Sequence, residues 1–168
     1  MTPATPPGTD RLMFREWKSK DVDPFHAICS DSRVMKYVGN GEVWQRERTG
    51  QFIQLAMESL QSIGYCQWAL IHRAENKLIG YCGFRKTNGY PEIGWRLAPA
   101  FWKQGLATEA ARTALQHGMQ TLRFTRVTAT VQAANVASVR VIDKLGMTLE
   151  QRLVRDGREI LIYAVDAD

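Results

Sequence analysis

The chain has 168 residues, 45% of them hydrophobic, with three cysteines and a formal net charge of +5. That length suits one domain with its own core and argues against two, and no apolar run approaches the ~20 residues of a membrane span. An odd cysteine count with no Cys-x-x-Cys pair argues against a disulfide framework or a zinc site, and the scattered basic residues include no arginine-rich nucleic-acid signature.

The start, residues 1–8, is rich in proline and lacks the basic and apolar regions of a signal peptide. Residues 1–8 are therefore expected to be a flexible tail, residues 9–168 one domain, and the cytoplasm the compartment. Leu12, Phe14 and Glu16 alternate with Met13, Arg15 and Trp17, which predicts a first strand over 11–17. Asp21 is the expected N-cap of a short helix through Ile28, with Pro24 in its first turn, and Asp31 caps a second piece through Tyr37. Gly39-Asn40-Gly41 then breaks the chain. A helix is predicted over 44–62, with Phe52, Leu55, Ala56, Ser59 and Leu60 on one face and Gly64 at its end. Extended segments over 65–72, 77–86 and 92–97 follow, the last two joined by the turn signal Asn88-Gly89, as an antiparallel meander. Cys66 and Cys82 lie in these apolar runs and read as small buried hydrophobes. Leu106, Ala110, Ala114 and Gly118, with Ala107, Ala111, Leu115 and Met119 beside them, predict an amphipathic helix whose small residues press close to a sheet. Residues 126–131 alternate as a strand, Asn135 starts a helix through Leu145 that Gly146 ends, and Asp156-Gly157 joins a final hairpin over 147–155 and 158–165. The order gives one mixed α/β layer structure.

The stretch from Glu92 to Ala110 carries the most chemistry. It runs strand, short loop, then Gly105 at a helix start, where unpaired N–H groups and the positive end of the dipole suit an anion such as a pyrophosphate. Glycine there allows close approach, and Lys103 adds a point charge. The same residues also suit a plain strand-to-helix connection with a glycine at a tight bend. Neither G-x-G-x-x-G nor G-x-x-x-x-G-K-[ST] occurs, so a phosphate site here is neither Rossmann nor Walker type. Glu109, in the first turn, reads as a structural charge favoured by the helix dipole. Asn135 and Ser138 share a face, and by themselves read as an ordinary cap and its incidental neighbour. Trp95, Phe101 and Trp102 read as packing residues. His26, His72 and His117 have no carboxylate or cysteine partner nearby in sequence, so no metal is expected.

The run Trp102-Lys103-Gln104-Gly105-Leu106-Ala107-Thr108-Glu109-Ala110 resembles motif A of the GNAT superfamily of N-acetyltransferases. It looks most like the ribosomal-protein (RimJ/RimL) branch, whose hallmark is close to W-G-K-G-Y-A-T-E-A. The pattern Q/R-x-x-G-x-G/A is met at Gly105 and Ala107, with Trp102 in first position as is usual in this branch. A second block, Asn135-Val136-Ala137-Ser138 through Lys144-Leu145-Gly146-Met147, is similar to the branch's N-x-x-S-x-x-x-x-x-K-x-G-F, with Met147 in place of Phe. Thr9-Asp10-Arg11-Leu12-Met13-Phe14-Arg15 also resembles the branch, and the match covers nearly all of the chain beyond the tail.

This resemblance implies a GNAT acyl-CoA N-acyltransferase fold, a mixed and mostly antiparallel sheet of about seven strands flanked by about four helices. It implies acetyl-CoA as co-substrate, without a metal, lying where the fourth and fifth strands splay apart. The pyrophosphate would meet backbone N–H groups of Gln104, Gly105, Leu106, Ala107 and Thr108, with Trp102 and Lys103 adjoining. The pantetheine would run beside Gly94, Trp95, Arg96 and Leu97, with Asn135 holding it and Ser138 bonded to the sulfur. Many members carry a Tyr four residues after the Ser138 position; here it is Ile142, which leaves sulfur protonation to Ser138 or water. The reaction expected is direct attack of a primary amine, a protein N-terminus or a small molecule, with no covalent enzyme intermediate. At pH 7 deprotonating a lysine costs about 4.6 kcal/mol and an α-amine only about 1.1. Glu92 is the candidate base, and reads equally as a solvated strand-end glutamate. A backbone N–H near Ile93 to Trp95 is expected to serve the oxyanion. Residues 23–42 and the last two strands are expected to form the acceptor site. The protein is expected to be a monomer or homodimer with no membrane or nucleic-acid partner. The rival readings are a non-catalytic CoA-binding sensor or adaptor, marked by binding without turnover, and a basic RNA- or ribosome-associated module, marked by salt-dependent RNA binding.

Overall fold

The computed structural model describes residues 5–168. Strand β1 (Leu12–Arg15) leads through a 3-10 turn into helices α1 (Val22–Cys29), α2 (Ser32–Met35) and α3 (Arg46–Ile63). Strands β2 (Gln67–His72), β3 (Lys77–Arg85) and β4 (Glu92–Leu97) follow, then α4 (Leu106–Gln120), β5 (Arg126–Gln132), α5 (Val136–Lys144), β6 (Thr148–Arg155) and β7 (Arg158–Asp166). The strands form one sheet in the order β1-β2-β3-β4-β5-β7-β6. Every neighbouring pair is antiparallel except β4 with β5. The mixed, mostly antiparallel sheet of seven strands is the one the family resemblance implies. Among the described residues five α-helices flank it, one more than the about four expected, the addition being the single turn α2.

The core lies on both faces of the sheet. β3 is buried from Leu78 to Phe84, as expected for a strand covered on both sides. On one face, α4 turns Leu106, Ala110, Ala111, Ala114 and Gly118 inward. A Cβ on Gly118 would stand 2.7 Å from the Phe84 ring, so the small-residue face is what lets this helix reach β3. On the other, Trp17, Phe25 and Phe52 form an aromatic cluster with Tyr81. Gly80, at φ +146°, sits so close to β4 that a Cβ would lie 1.8 Å from the Arg96 carbonyl oxygen. The hairpin turn behaves as its dipeptide predicts: Asp156 and Gly157 take φ of 50° and 73°, the pair of left-handed residues of a type I′ turn.

Several local expectations need correction. The first strand stops at Arg15, and Trp17 leaves it to donate from Nε1 to the Gln67 carbonyl oxygen at 2.6 Å. Asp21 stands at the N-cap of α1 without capping it. Its carboxylate turns back to accept from the Lys18 N–H at 2.8 Å and from both Arg15 Nη atoms at 2.7 and 2.8 Å. The buried face of α3 is Thr49, Ile53, Ala56 and Leu60, while Leu55 is 64% exposed. The stripe is thus rotated from the one read off Phe52 and Leu55. Asn88-Gly89 sits in a longer loop between β3 and β4, in which the Thr87 hydroxyl accepts from the Gly89 N–H and donates to the Tyr90 carbonyl oxygen. In the expected N-terminal tail, residues 1–4 lie outside the described residues. Of its described residues Pro6 is buried; at the start of the expected domain, Arg73 Nε donates to the carbonyl oxygens of Thr9 and Leu12 at 2.7 and 3.1 Å, and neither observation decides the division at residue 9. Among the described residues no helix is long and apolar enough to cross a membrane.

Candidate active site

The site begins with a gap in the sheet. β4 and β5 share one register pair, Glu92 opposite Thr128, held by the Thr128 N–H donating to the Pro91 carbonyl oxygen at 3.0 Å. Beyond that pair β4 continues against β3 and β5 against β7. Among the described residues no further β4–β5 pair follows, so the β5-facing edge of β4 from Gly94 onward is open. A cavity of about 620 Å³ occupies this side of the molecule. Glu92, Gly94, Trp95 and Arg96 line it from β4, with Asn135 and Ser138 from the start of α5 and Ile142 from its last turn. Both expected acceptor-side segments reach its wall, through Tyr37 to Asn40 and through Arg155, Asp156 and Arg158.

The structure does not place every candidate residue in that cavity. Leu97 and the run Trp102 to Thr108 lie outside its lining, at the far end of β4. There Lys103 and Gly105 both take left-handed backbone, φ 58° and 77°, which turns the chain sharply into α4. Gly105 is the N-cap, and no side chain caps the helix there. Helix geometry leaves the N–H groups of Gly105, Leu106, Ala107 and Thr108 without intrahelical acceptors, because the first such bond runs from Glu109 N–H to the Gly105 carbonyl oxygen at 3.0 Å. These donors and the dipole's positive end fit an anion. Lys103 and Gln104 are exposed, as is Trp102, whose Nε1 donates to the Leu97 carbonyl oxygen at 2.8 Å and braces the loop. The Leu97 and Leu106 side chains are buried in the core; what they offer a ligand is backbone.

Glu109 belongs to a clamp that the sequence concealed. Its carboxylate accepts from Arg11 Nε at 2.8 Å, from Arg11 Nη2 and from the Thr9 hydroxyl, while Arg11 Nη1 donates to the Gln104 carbonyl oxygen at 2.9 Å. Burial alone would raise its pKa; the Arg11 guanidinium and Thr9 hydroxyl overcome that and hold it below the ordinary carboxylate value. The ionised group beside the anion site is thereby neutralised. The pairing joins residues 98 apart; the one hint in the sequence was the family-like opening around Arg11.

At the opposite end, Asn135 Oδ1 accepts from the Ser138 N–H at 3.3 Å. The capping role is therefore real, and it leaves the Asn135 amide donor to serve the cavity. Glu92 is not a freely solvated glutamate. Arg85 Nε donates to its Oε1 at 2.8 Å and the Thr130 hydroxyl to its Oε2 at 2.8 Å. Cys29, Cys66 and Cys82 are free and buried; burial raises the pKa of all three thiols, far for Cys66 and Cys82, and against the opposing pull of Arg96 for Cys29, which disfavours the reactive thiolate. Among the described residues no cluster of three metal-ligating side chains occurs.

A sheet parted between two parallel strands, with an uncapped helix N-terminus at one end of the gap and a cavity at the other, has the shape and donors to suit an elongated ligand with an anionic end. Residues 11–148 match the acetyltransferase (GNAT) domain family. A Bacillus subtilis protein, named the uncharacterized N-acetyltransferase YnaD, is 35% identical over 144 residues, 84% of this chain and 82% of that one. The crystal structure of a GNAT-family acetyltransferase from Bacillus anthracis superposes with a TM-score of 0.84 at 30% identity, covering 97% and 98% of the two chains. RimL, the ribosomal L7/L12 alpha-N-protein acetyltransferase solved with coenzyme A, shares the fold at a TM-score of 0.83 and 18% identity over 98% and 99%. The chain belongs to the GNAT family of N-acetyltransferases, enzymes that use acetyl-CoA.

Proposed function

We propose that residues 9–168 form one catalytic domain that transfers the acetyl group of acetyl-CoA directly to a primary amine, of a protein N-terminus or a small molecule. The observation that carries this reading is the coincidence of the β4–β5 gap with the uncapped start of α4. The Gly105 to Thr108 N–H groups would hold the pyrophosphate, with Trp102, Lys103 and Gln104 around it. The open edge of β4 at Trp95, Arg96 and Leu97 would pair with the pantetheine amides as a missing strand would. The coenzyme supplies an acetyl thioester. Asn135 would fix the arm near the thioester through its free amide hydrogens. A β4 N–H between Ile93 and Trp95 would stabilise the oxyanion. As the amine nitrogen bonds to the carbonyl carbon and the C–S bond breaks, the Ser138 hydroxyl would hydrogen-bond the departing thiolate, with solvent replacing the proton. Glu92 is pinned by Arg85 and Thr130 and would accept the amine proton through water. Three reduced, buried thiols suit a reducing compartment, and the proposal places the enzyme in the cytoplasm.

Thermal unfolding with acetyl-CoA is the direct test. Ligand at about 100 times Kd should stabilise by about 2.7 kcal/mol, a shift of several degrees or less, and an amine panel should then release free thiol. No shift at millimolar acetyl-CoA would sink the reading.

A further inference from the structure

Arg96 is 7% exposed and, being a guanidinium, always charged. Its Nη1 donates to Cys29 Sγ at 3.2 Å, a weak acceptor, and its buried Nε has no partner. Among the described residues no carboxylate pairs with it. The cation lies over the rings of Trp44, Tyr81 and Phe25, at 4.4, 5.3 and 5.9 Å from their centroids. Ring faces attract the charge but accept no conventional hydrogen bond from Nε, which stays without a partner. A buried cation without an anion is costly, yet this one lines an open cavity.

The rest of the wall repeats the imbalance. Five arginines line the cavity against two carboxylates, Glu92 and Asp156. Arg85 is paired with Glu92, and Arg158 is held by the carbonyl oxygens of Gly39 and Asn40. Arg48 lies over the same Trp44 ring as Arg96, at 4.9 Å, and no carboxylate pairs with it among the described residues. Such a cavity attracts anions and repels polycations. Arg96 stands two residues beyond Gly94 on the same side of β4, about 7 Å along the strand. An anion held at Arg96 would therefore sit a few bonds from the position of the reacting carbonyl.

We propose that the acceptor is an amine carrying a carboxylate a few bonds from its amino group, and that Arg96, with Arg48 beside it, binds that carboxylate. This rests on the acetyl-transfer reading and adds the acceptor's class. A carboxylate matches the planar fork of a guanidinium in two parallel hydrogen bonds. It has two sources: a free amino acid, or an acidic first residue of a peptide.

The test pairs each carboxylate with its carboxamide: β-alanine with β-alaninamide, and peptides starting Asp-Ala with those starting Asn-Ala. Thiol release is read as kcat/KM. Carboxylates should exceed their amides by about tenfold or more, and the pair with the larger ratio identifies the source. In Arg48→Ala, a surface change, and in Arg96→Lys, which keeps the charge and loses the fork, that ratio should fall towards one at unchanged melting temperature. As a reading without turnover, glutarate should raise the melting temperature of the CoA-loaded wild type and not of the variants. The proposal alone is overturned if acetyl-CoA binds and the amides serve equally well, if the ratio survives in folded variants, or if glutarate gives no shift. It falls together with the acetyl-transfer reading if acetyl-CoA neither stabilises the protein nor is turned over.

Discussion

Arg11→Ala should weaken acetyl-CoA binding mainly by uncovering Glu109. In the wild type the guanidinium neutralises that carboxylate one turn into α4 and also holds the Gln104 carbonyl oxygen. Without it, a full negative charge would stand near the pyrophosphate in the proposed binding mode. At a separation of about 8 Å and an effective dielectric of about 40, each phosphate charge is repelled by roughly 1 kcal/mol. Two charges give about 2 kcal/mol, or roughly thirtyfold in Kd at low salt. At about 0.15 M salt the Debye length is about 8 Å and the loss should shrink to roughly fourfold. The stability cost should stay near 1 kcal/mol or below, because the Arg11 side chain is 45% exposed. Calorimetric titration of acetyl-CoA at two ionic strengths reads both numbers. The decisive variant is Arg11→Ala with Glu109→Gln, which removes the exposed charge and should restore most of the affinity. If the double variant binds as weakly as Arg11→Ala alone, repulsion by Glu109 is not the reason, and the reasoning fails.

Ser138→Ala should lower kcat by about tenfold to a hundredfold while changing the acetyl-CoA Kd less than threefold; an unchanged kcat would remove the hydroxyl from thiolate departure. Asp21→Asn breaks a pair whose side chains are 23% (Arg15) and 4% (Asp21) exposed, and should cost about 2–4 kcal/mol in a urea titration at constant slope. Burial pushes the Asp21 pKa up, but Arg15 and the Lys18 N–H bring it below the ordinary 3.8. Its contribution is therefore complete above about pH 4 and is lost as pH falls through the lower folded value. Wild type should lose stability below pH 4 more steeply than Asp21→Asn, and parallel curves would contradict the pairing.

What the sequence disclosed was local. Gly105, Asn135, Gly146 and Asp156-Gly157 announce their turns and caps because each residue's own backbone preference decides the conformation. β4 has the bounds read from its pattern, and the small-residue face of α4 is buried as expected. What stayed hidden depends on distant chain segments meeting. The Arg96 environment is built from Cys29, 67 residues away, and from rings on α1, on β3 and in the loop before α3. The engagement of Glu92 follows from the registers of β3 and β5, which put Arg85 and Thr130 at its flanks. The rotation of α3 escaped for a different reason. Leu55 and Ile53 are equally apolar, and only the docking of the helix decides which one solvent sees.

The lone Glu92–Thr128 pair also bears on how the molecule holds together. Through its hydrogen-bond ladder the sheet is two bodies, β1 to β4 and β5 to β6, joined at one rung. Opening one body therefore breaks few ladder bonds belonging to the other, and without ligand their cooperativity rests on side-chain packing. A molecule bonded along the seam would act as the absent rungs and tie the two openings together. Amide exchange in β1, none of whose residues lines the cavity, would then slow on binding, by way of a shared unfolding unit.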